Sequence, residues 1–231
     1  MKSLIGTLAL IPLLAADTKV DLSSEQVGRP PATFEPMVGT WVVTQDGPDK
    51  VIMVDGRPWV ASKDNPTRLL VQSARRLYGT SNEELMDNAK QFAYFPVAVL
   101  KSVDTFSNGT ISVKFKTIAG DADRASGILF NVKPNGDYLT VRYNGMEDNL
   151  VLWTFNKGAR KFVKRGPDEV PLKMKEWHTM KITVHGAKLE GFVNGKLILE
   201  YTLPEPVSGK VGLWSKTDSV SLYDDFAVTP Q

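Results

Sequence analysis

The chain has 231 residues with 28 basic and 26 acidic side chains, a net charge of +2, and 42% hydrophobic and 23% charged residues. A chain of this length buries a sizeable core unaided, and its composition is globular rather than disordered or fibrous. The near-balanced charge, with no basic stripe interleaved with aromatics, excludes an electrostatic footprint for nucleic acid. The lack of cysteine excludes disulfides and a lipidated cysteine.

Lys2, an apolar run from Leu4 to Ala16 and then Asp17 have the pattern of a secretory signal peptide. The run is too short to span a bilayer. The expectation is a signal peptide over 1–16, cleaved after Ala16, and a mature protein exported to the bacterial periplasm. Residues 17–37 carry Pro30, Pro31 and Pro36 with little periodicity, and read as an irregular lead-in. The remainder, 38–231, reads as one domain.

From Trp41 onward, short apolar runs are punctuated as in a β protein: "WVVT", "VIMV", "RLLVQS", "PVAVLKS", "TISVKFKT", "GILFNVK", "DYLTVRYN", "NLVLWTF", "WHTMKITVH", "LEGFVNG", "LILEYT", "GKVGLWS" and "SVSLYDDFAV". "TSNEELMDNAKQF" departs from this pattern. Ser81 followed by Glu84 has capping-box spacing, which predicts one short inserted helix. The basic run Lys157 to Gly166, broken by Phe162 and Val163, reads as a solvated edge strand. In "FVNGKLIL", Asn194-Gly195 predicts a type I′ hairpin, and Asn135-Gly136 in "VKPNGDYL" reads as the same device.

Alternation places Ile111, Val113 and Phe115 on one strand face, and Met180, Ile182 and Val184 on another. Half-buried antiparallel strands of this kind, about thirteen of them, predict an all-β jelly-roll sandwich of two antiparallel sheets.

Three long segments carry a family resemblance: "FKTIAGDADRASGILFNVKPNGDYLTVRYNGMEDNLVLW", "EWHTMKITVHGAKLEGFVNGKLI" and "SGKVGLWSKTDSVSLYDDFAV". Together they resemble a bacterial family of exported concanavalin A-like jelly rolls close to the 3-keto-disaccharide hydrolase-type domain, over Val38 to Val228. Where that family reads Arg-Ala-Asn after the turn, this chain has Arg142-Tyr143-Asn144. The resemblance implies a concanavalin A-like sandwich, with glycan recognition or action on a glycoside as its function. A fold alone does not choose between the two.

Catalytic signatures are sparse. The E-x-D-x-x-E strand of laminarinase-type glycosidases is missing, and Glu147 and Asp148 are adjacent in a turn rather than spaced for acid–base work. Asp224 and Asp225 would point to opposite faces of a regular strand, so either a bulge intervenes or one carboxylate is buried and paired. His178 and His185 have an odd spacing that sends them to opposite faces, which suits neither a zinc site nor a triad. "AGDADRASG" has spaced acids but no EF-hand glutamate, and reads as a loop holding Asp123 and Arg124 as an ion pair. No metal and no cofactor is expected.

What remains is a surface. Tyr138, Thr140, Arg142 and Asn144 share one face over roughly 20 Å, with Glu147 and Asn149 in the loop beyond. Trp214 and Lys216 point away from the core residues Val211 and Leu213, with Asp218 just after. The expectation is an aromatic platform beside hydrogen-bonding groups, suited to a saccharide. The alternative has Trp214 packed under a helix and Arg142 paired with Glu147 or Asp218. The functions left open are an exported carbohydrate-binding protein and a glycoside-acting enzyme of the 3-keto-disaccharide hydrolase type. A structural partner in an exported complex is the third.

Overall fold

The structure, a computed structural model, describes residues 16–58, 67–79, 95–156 and 159–231. In chain order its strands are β1 (Thr18–Lys19), β2 (Phe34–Val38), β3 (Thr40–Asp46), β4 (Asp49–Asp55), β5 (Val97–Leu100), β6 (Gly109–Ala119), β7 (Ala125–Val132) and β8 (Tyr138–Asn144). They continue with β9 (Asn149–Asn156), β10 (Ala159–Arg165), β11 (His178–His185), β12 (Lys188–Val193), β13 (Lys196–Thr202), β14 (Lys210–Ser215) and β15 (Val220–Pro230). A helix, α1 (Thr67–Tyr78), lies between β4 and β5 in the chain.

The strands form two antiparallel sheets, which is the jelly-roll sandwich. Sheet A runs β13-β12-β11-β6-β15-β4-β3, with β1 paired to β15; sheet B runs β10-β9-β8-β7-β14-β5-β2. Between them lies one apolar core. From sheet A it takes Ile111, Val113, Phe115, Met180, Ile182 and Val184, all at most 2% exposed, as their alternation predicted. From sheet B it takes Ile128, Phe130, Val141 and Leu213 among others.

Asn194 and Gly195 have φ of 47° and 80° and close the β12–β13 hairpin, with Val193 opposite Lys196. Two positive φ angles are what a type I′ turn needs. The turn at Asn135-Gly136 is different. Only Gly136 has positive φ, at 89°, and its N–H donates to Lys133 O at 2.9 Å. Pro134 therefore occupies the second position of a turn whose exit residue, not its centre, is left-handed.

Three regions differ from the sequence reading. "RLLVQS" is not a strand but lies in α1. Its continuation "ARRLYG" carries the helix ending: Arg75 and Arg76 in the last turn, then Gly79 at φ 74°, donating to Arg75 O. The lead-in contains β2, whose Pro36 is tolerated because β2 is an edge strand of sheet B. The helix expected within residues 80–92 lies outside the described residues. The basic run at 159–165 is an edge strand, β10, and is almost wholly exposed.

Sheet B carries a second apolar layer on the face turned away from sheet A. Met37, Val38, Val97, Val99, Leu129 and Phe155 belong to it, and Leu77 of α1 and Phe95 pack against it. α1 is anchored there by Ser73, whose hydroxyl donates to Pro36 O at 2.8 Å, and by an Arg76–Glu35 ion pair at 2.6 Å.

Candidate functional site

Register settles how the expected surface is built. Arg142 on β8 lies opposite Gly127 on β7, and Gly127 lies opposite Trp214 on β14. Arg142 and Trp214 thus flank a glycine on the outer face of sheet B. A Cβ at position 127 would come within 3.1 Å of Arg142 Cβ and 3.0 Å of Thr140 Oγ1, so the row has room for no side chain between them.

The row is not an open platform, because this face is itself a packed layer. Trp214 is 1% exposed and stacks on Phe95 at 5.6 Å. Its indole N–H donates to the Tyr138 hydroxyl at 3.2 Å, and Tyr138 in turn stacks on Phe155 at 4.3 Å. Tyr138 and Trp214 therefore belong to the apolar layer. Burial pushes the Tyr138 phenol far above its usual range.

At the β8–β9 hairpin end, the polar residues join into two hydrogen-bonded groups. In the first, Arg142 donates from Nη1 to Asn149 Oδ1 at 2.6 Å and from Nη2 to Glu147 Oε2 at 2.8 Å. Asn149 Nδ2 adds a second bond to the same Glu147 oxygen at 3.0 Å. Burial lowers the Arg142 pKa, and the neighbouring Glu147 opposes that shift. Burial also pushes the Glu147 carboxyl upward. The hydrogen bond and charge of Arg142, with Asn149 and Lys216, outweigh this and hold it below its ordinary value. The arginine side chain is 3% exposed while that of Glu147 is 46% exposed. Glu147 thus faces water, and the guanidinium props it from beneath.

The second group centres on Asp123. Its Oδ1 accepts from Lys216 Nζ at 2.8 Å and Asn144 Nδ2 at 3.1 Å, and its Oδ2 accepts from Thr217 Oγ1 at 2.5 Å. Lys216 was expected at the site, but its partner was not. The Asp123–Arg124 ion pair is replaced by Asp123–Lys216, while Arg124 Nε donates to Gly120 O at 2.9 Å. Asp218 lies beneath this loop and accepts the backbone N–H groups of Asp121, Ala122 and Asp123 at 2.8, 3.0 and 3.0 Å. Burial raises its pKa less than those three donors lower it. Asp218 shapes the loop, and Lys216 reaches solvent.

Sequence reasoning missed Trp153. It is partly buried on the outer face, opposite Thr140, with Arg160 Cζ 4.5 Å from its ring centroid, Arg142 Cζ at 5.8 Å and Phe162 edge-on at 5.7 Å. The signal was available: the Asn144–Asn149 pair closes the hairpin, and counting back from it puts Trp153 on the Arg142 side.

Asp224 and Asp225 lie on sheet A, far from this network in the topology. A bulge between Asp224 and Ala227 resolves their awkward adjacency, with Asp225 at φ 48°. Asp225 pairs with Lys114 at 2.7 Å and Lys19 at 3.3 Å. The Asp224 pKa is raised, first by burial and then by Asp225 and Asp49. Both line an open cavity of about 700 Å³ with Asp49 and Lys50. Among the described residues, no group of three or more His, Cys, Asp or Glu side chains could hold a metal ion. No helix among them is long and apolar enough to cross a membrane.

Comparison with known proteins bears on the fold and the family. The chain is similar in structure to the carbohydrate binding module CBM66 from Bacillus subtilis, with TM-score 0.61, 12% identity, and 85% of this chain and 95% of that one covered. At that identity the likeness is one of fold. A Bacillus licheniformis beta-glucanase gives TM-score 0.49 and 12% identity over 93% of this chain and 92% of that one. No curated protein matches the sequence. The model of the 3-keto-alpha-glucoside-1,2-lyase-like domain matches residues 90–229, more than half of the chain. That span runs from before β5 to Thr229 in β15 and includes both hydrogen-bonded groups. The chain belongs to the 3-keto-alpha-glucoside-1,2-lyase-like domain family.

Proposed function

We propose that this is an exported carbohydrate-binding protein that recognises a saccharide at the β8–β9 end of sheet B. The carrying observation is the pair Glu147 and Lys216, two solvent-reaching groups each fixed by buried partners, Arg142 with Asn149 and Asp123 with Asn144. An ionised carboxylate accepts from sugar hydroxyls and an ammonium donates to them. Because both groups are already held in place, little ordering cost falls on binding. Arg142, Asn144, Asn149 and Asp218 are positioning residues in this reading, and Tyr138 and Trp214 stiffen the sheet beneath. Export rests on the segment from Lys2 to Asp17, with its charged start and short apolar run.

Family membership favours a second reading, a glycoside-acting enzyme. In a 3-keto glucoside the ketone acidifies the C2 proton, so a 1,2-elimination needs a base there. Glu147 is ionised, but the depressed pKa that keeps it so also makes it a weak base. That contrast puts recognition ahead of proton abstraction.

The test is a panel of neutral oligosaccharides and a 3-keto disaccharide, offered to the protein and to Glu147→Gln and Lys216→Met. Saturable binding without turnover, weakened at least tenfold in both variants, is expected. Turnover abolished by Glu147→Gln would replace the binding reading with the enzymatic one. Binding indifferent to both changes would reject this site.

A further inference from the structure

We propose that the outer face of β9 and β10 is an extension of the binding surface that selects acidic saccharides, those bearing carboxylates along the chain. The inference rests on the reading of this protein as a saccharide binder and names the class of saccharide.

The edge strand β10 carries Arg160, Lys161, Lys164 and Arg165 within seven residues. Among the described residues, none of the four has a carboxylate within ion-pair distance. Elsewhere the lysines and arginines repeatedly pair with acids, as at Lys114, Lys188, Lys196 and Lys210. An uncompensated set on an exposed strand favours an anionic partner.

The register shapes that charge. Arg160 pairs with Phe155 and Phe162 with Trp153, so both project on the outer face. A regular strand would then turn Arg165 to the other side. The bulge between Phe162 and Lys164 shifts the phase, and Arg165 pairs with Val151, returning it to the outer face. The result is an arginine, an aromatic and an arginine in one line, over roughly 13 Å of the neighbouring strand.

The groups are also pre-oriented. The Arg160 guanidinium lies 4.5 Å from the Trp153 centroid and 5.5 Å from that of Phe95. A guanidinium held between rings keeps its edge N–H donors for a planar carboxylate, which it can bind with two parallel bonds. Phe162, 54% exposed, offers an apolar surface for the C–H face of a sugar ring. Trp153 joins this line to the hairpin site, because Arg142 lies against the same indole. A single-stranded nucleic acid is disfavoured, since Arg160 already sits over the larger ring that a base would stack on.

Titration of the full chain, at low and high salt, with an oligogalacturonate, a neutral maltooligosaccharide of equal length and a single-stranded oligonucleotide tests the proposal. The expected result is that oligogalacturonate binds at least tenfold tighter than the neutral chain at low salt. The preference should be lost in Arg160→Gln/Arg165→Gln and reduced in Phe162→Ala, with melting temperatures confirming that the variants fold. Equal binding of acidic and neutral chains, both weakened by Lys216→Met, would overturn this inference and leave the hairpin site standing. Acidic selectivity lost with the arginines but indifferent to Glu147→Gln and Lys216→Met would uphold it and reject the hairpin site. Tighter binding of the oligonucleotide, or no saccharide binding at all, would overturn it.

Discussion

Glu147 shows how a charged side chain at the surface can depend on one that is buried. Deleting it leaves the Arg142 guanidinium, 3% exposed, with Asn149 as its remaining side-chain partner. Glu147→Ala should therefore cost about 1–2 kcal/mol, the lower part of the range for stranding a buried polar group, since the lost carboxylate is half-exposed and screened. Urea denaturation at neutral pH measures this, and a change below about 0.5 kcal/mol would reject it. The acid limb follows the same logic. The Glu147 pKa is lowered by folding, so its contribution is present above the unfolded value of 4.5 and is lost as pH falls through the folded one. Asp224 runs the other way. Its raised pKa means that the ionised form opposes folding at neutral pH, and that the opposition vanishes below the unfolded value of 3.8. Asp224→Asn can still accept the Asp225 N–H and should raise the melting temperature at pH near 7, with the gain fading in acid. A lowered melting temperature at neutral pH would contradict it. For Trp214→Ala, the buried indole predicts a loss of about 3–5 kcal/mol.

At the scale of elements, β7 is the spacer of the site. Gly127→Ala would press a methyl onto Arg142 Cβ and Val141 O, both 3.1 Å away, and should cost about 1–3 kcal/mol, as overpacking does. Denaturation with an unchanged m-value would confirm a folded-state effect, and an unaffected midpoint would refute it. The strand faces at Met180, Ile182 and Val184 were legible because period-two alternation reports burial directly. The Asn194-Gly195 turn was legible because its φ requirement is local. The coverage of sheet B was not legible. Alternation tells which residues share a face, not whether another layer packs on it. It aligned Arg142 with Trp214 but did not decide between an open platform and a covered one in which Arg142 pairs with Glu147, the arrangement found. The Asp123–Lys216 pair spans 93 residues of sequence and exists only through the β7–β14 register. The α1 helix was hidden because a short apolar run such as "RLLVQS" fits either a strand or a helix, and Gly79 decides it.

For the whole molecule, the exposed side of β10 has a second consequence besides ligand choice. It ends sheet B, and an open edge invites pairing with another chain unless charge prevents it. Lys161→Thr/Lys164→Thr should keep stability within about 0.5 kcal/mol yet lower the concentration at which light scattering reports aggregation. Unchanged scattering would show that these lysines do not guard the edge. The two sheets also share a feature of order. In sheet A, β15 alone joins β6 to β4, and in sheet B, β14 alone joins β7 to β5. Both seams are supplied by residues 210–230, so each sheet stays in two pieces until those strands arrive. Such distant pairings are slow to form, in the range of milliseconds to seconds for β-sandwiches. A polypeptide that can finish neither sheet until residues 210–230 pair holds four partial sheets with unpaired edges until that single stretch is in place.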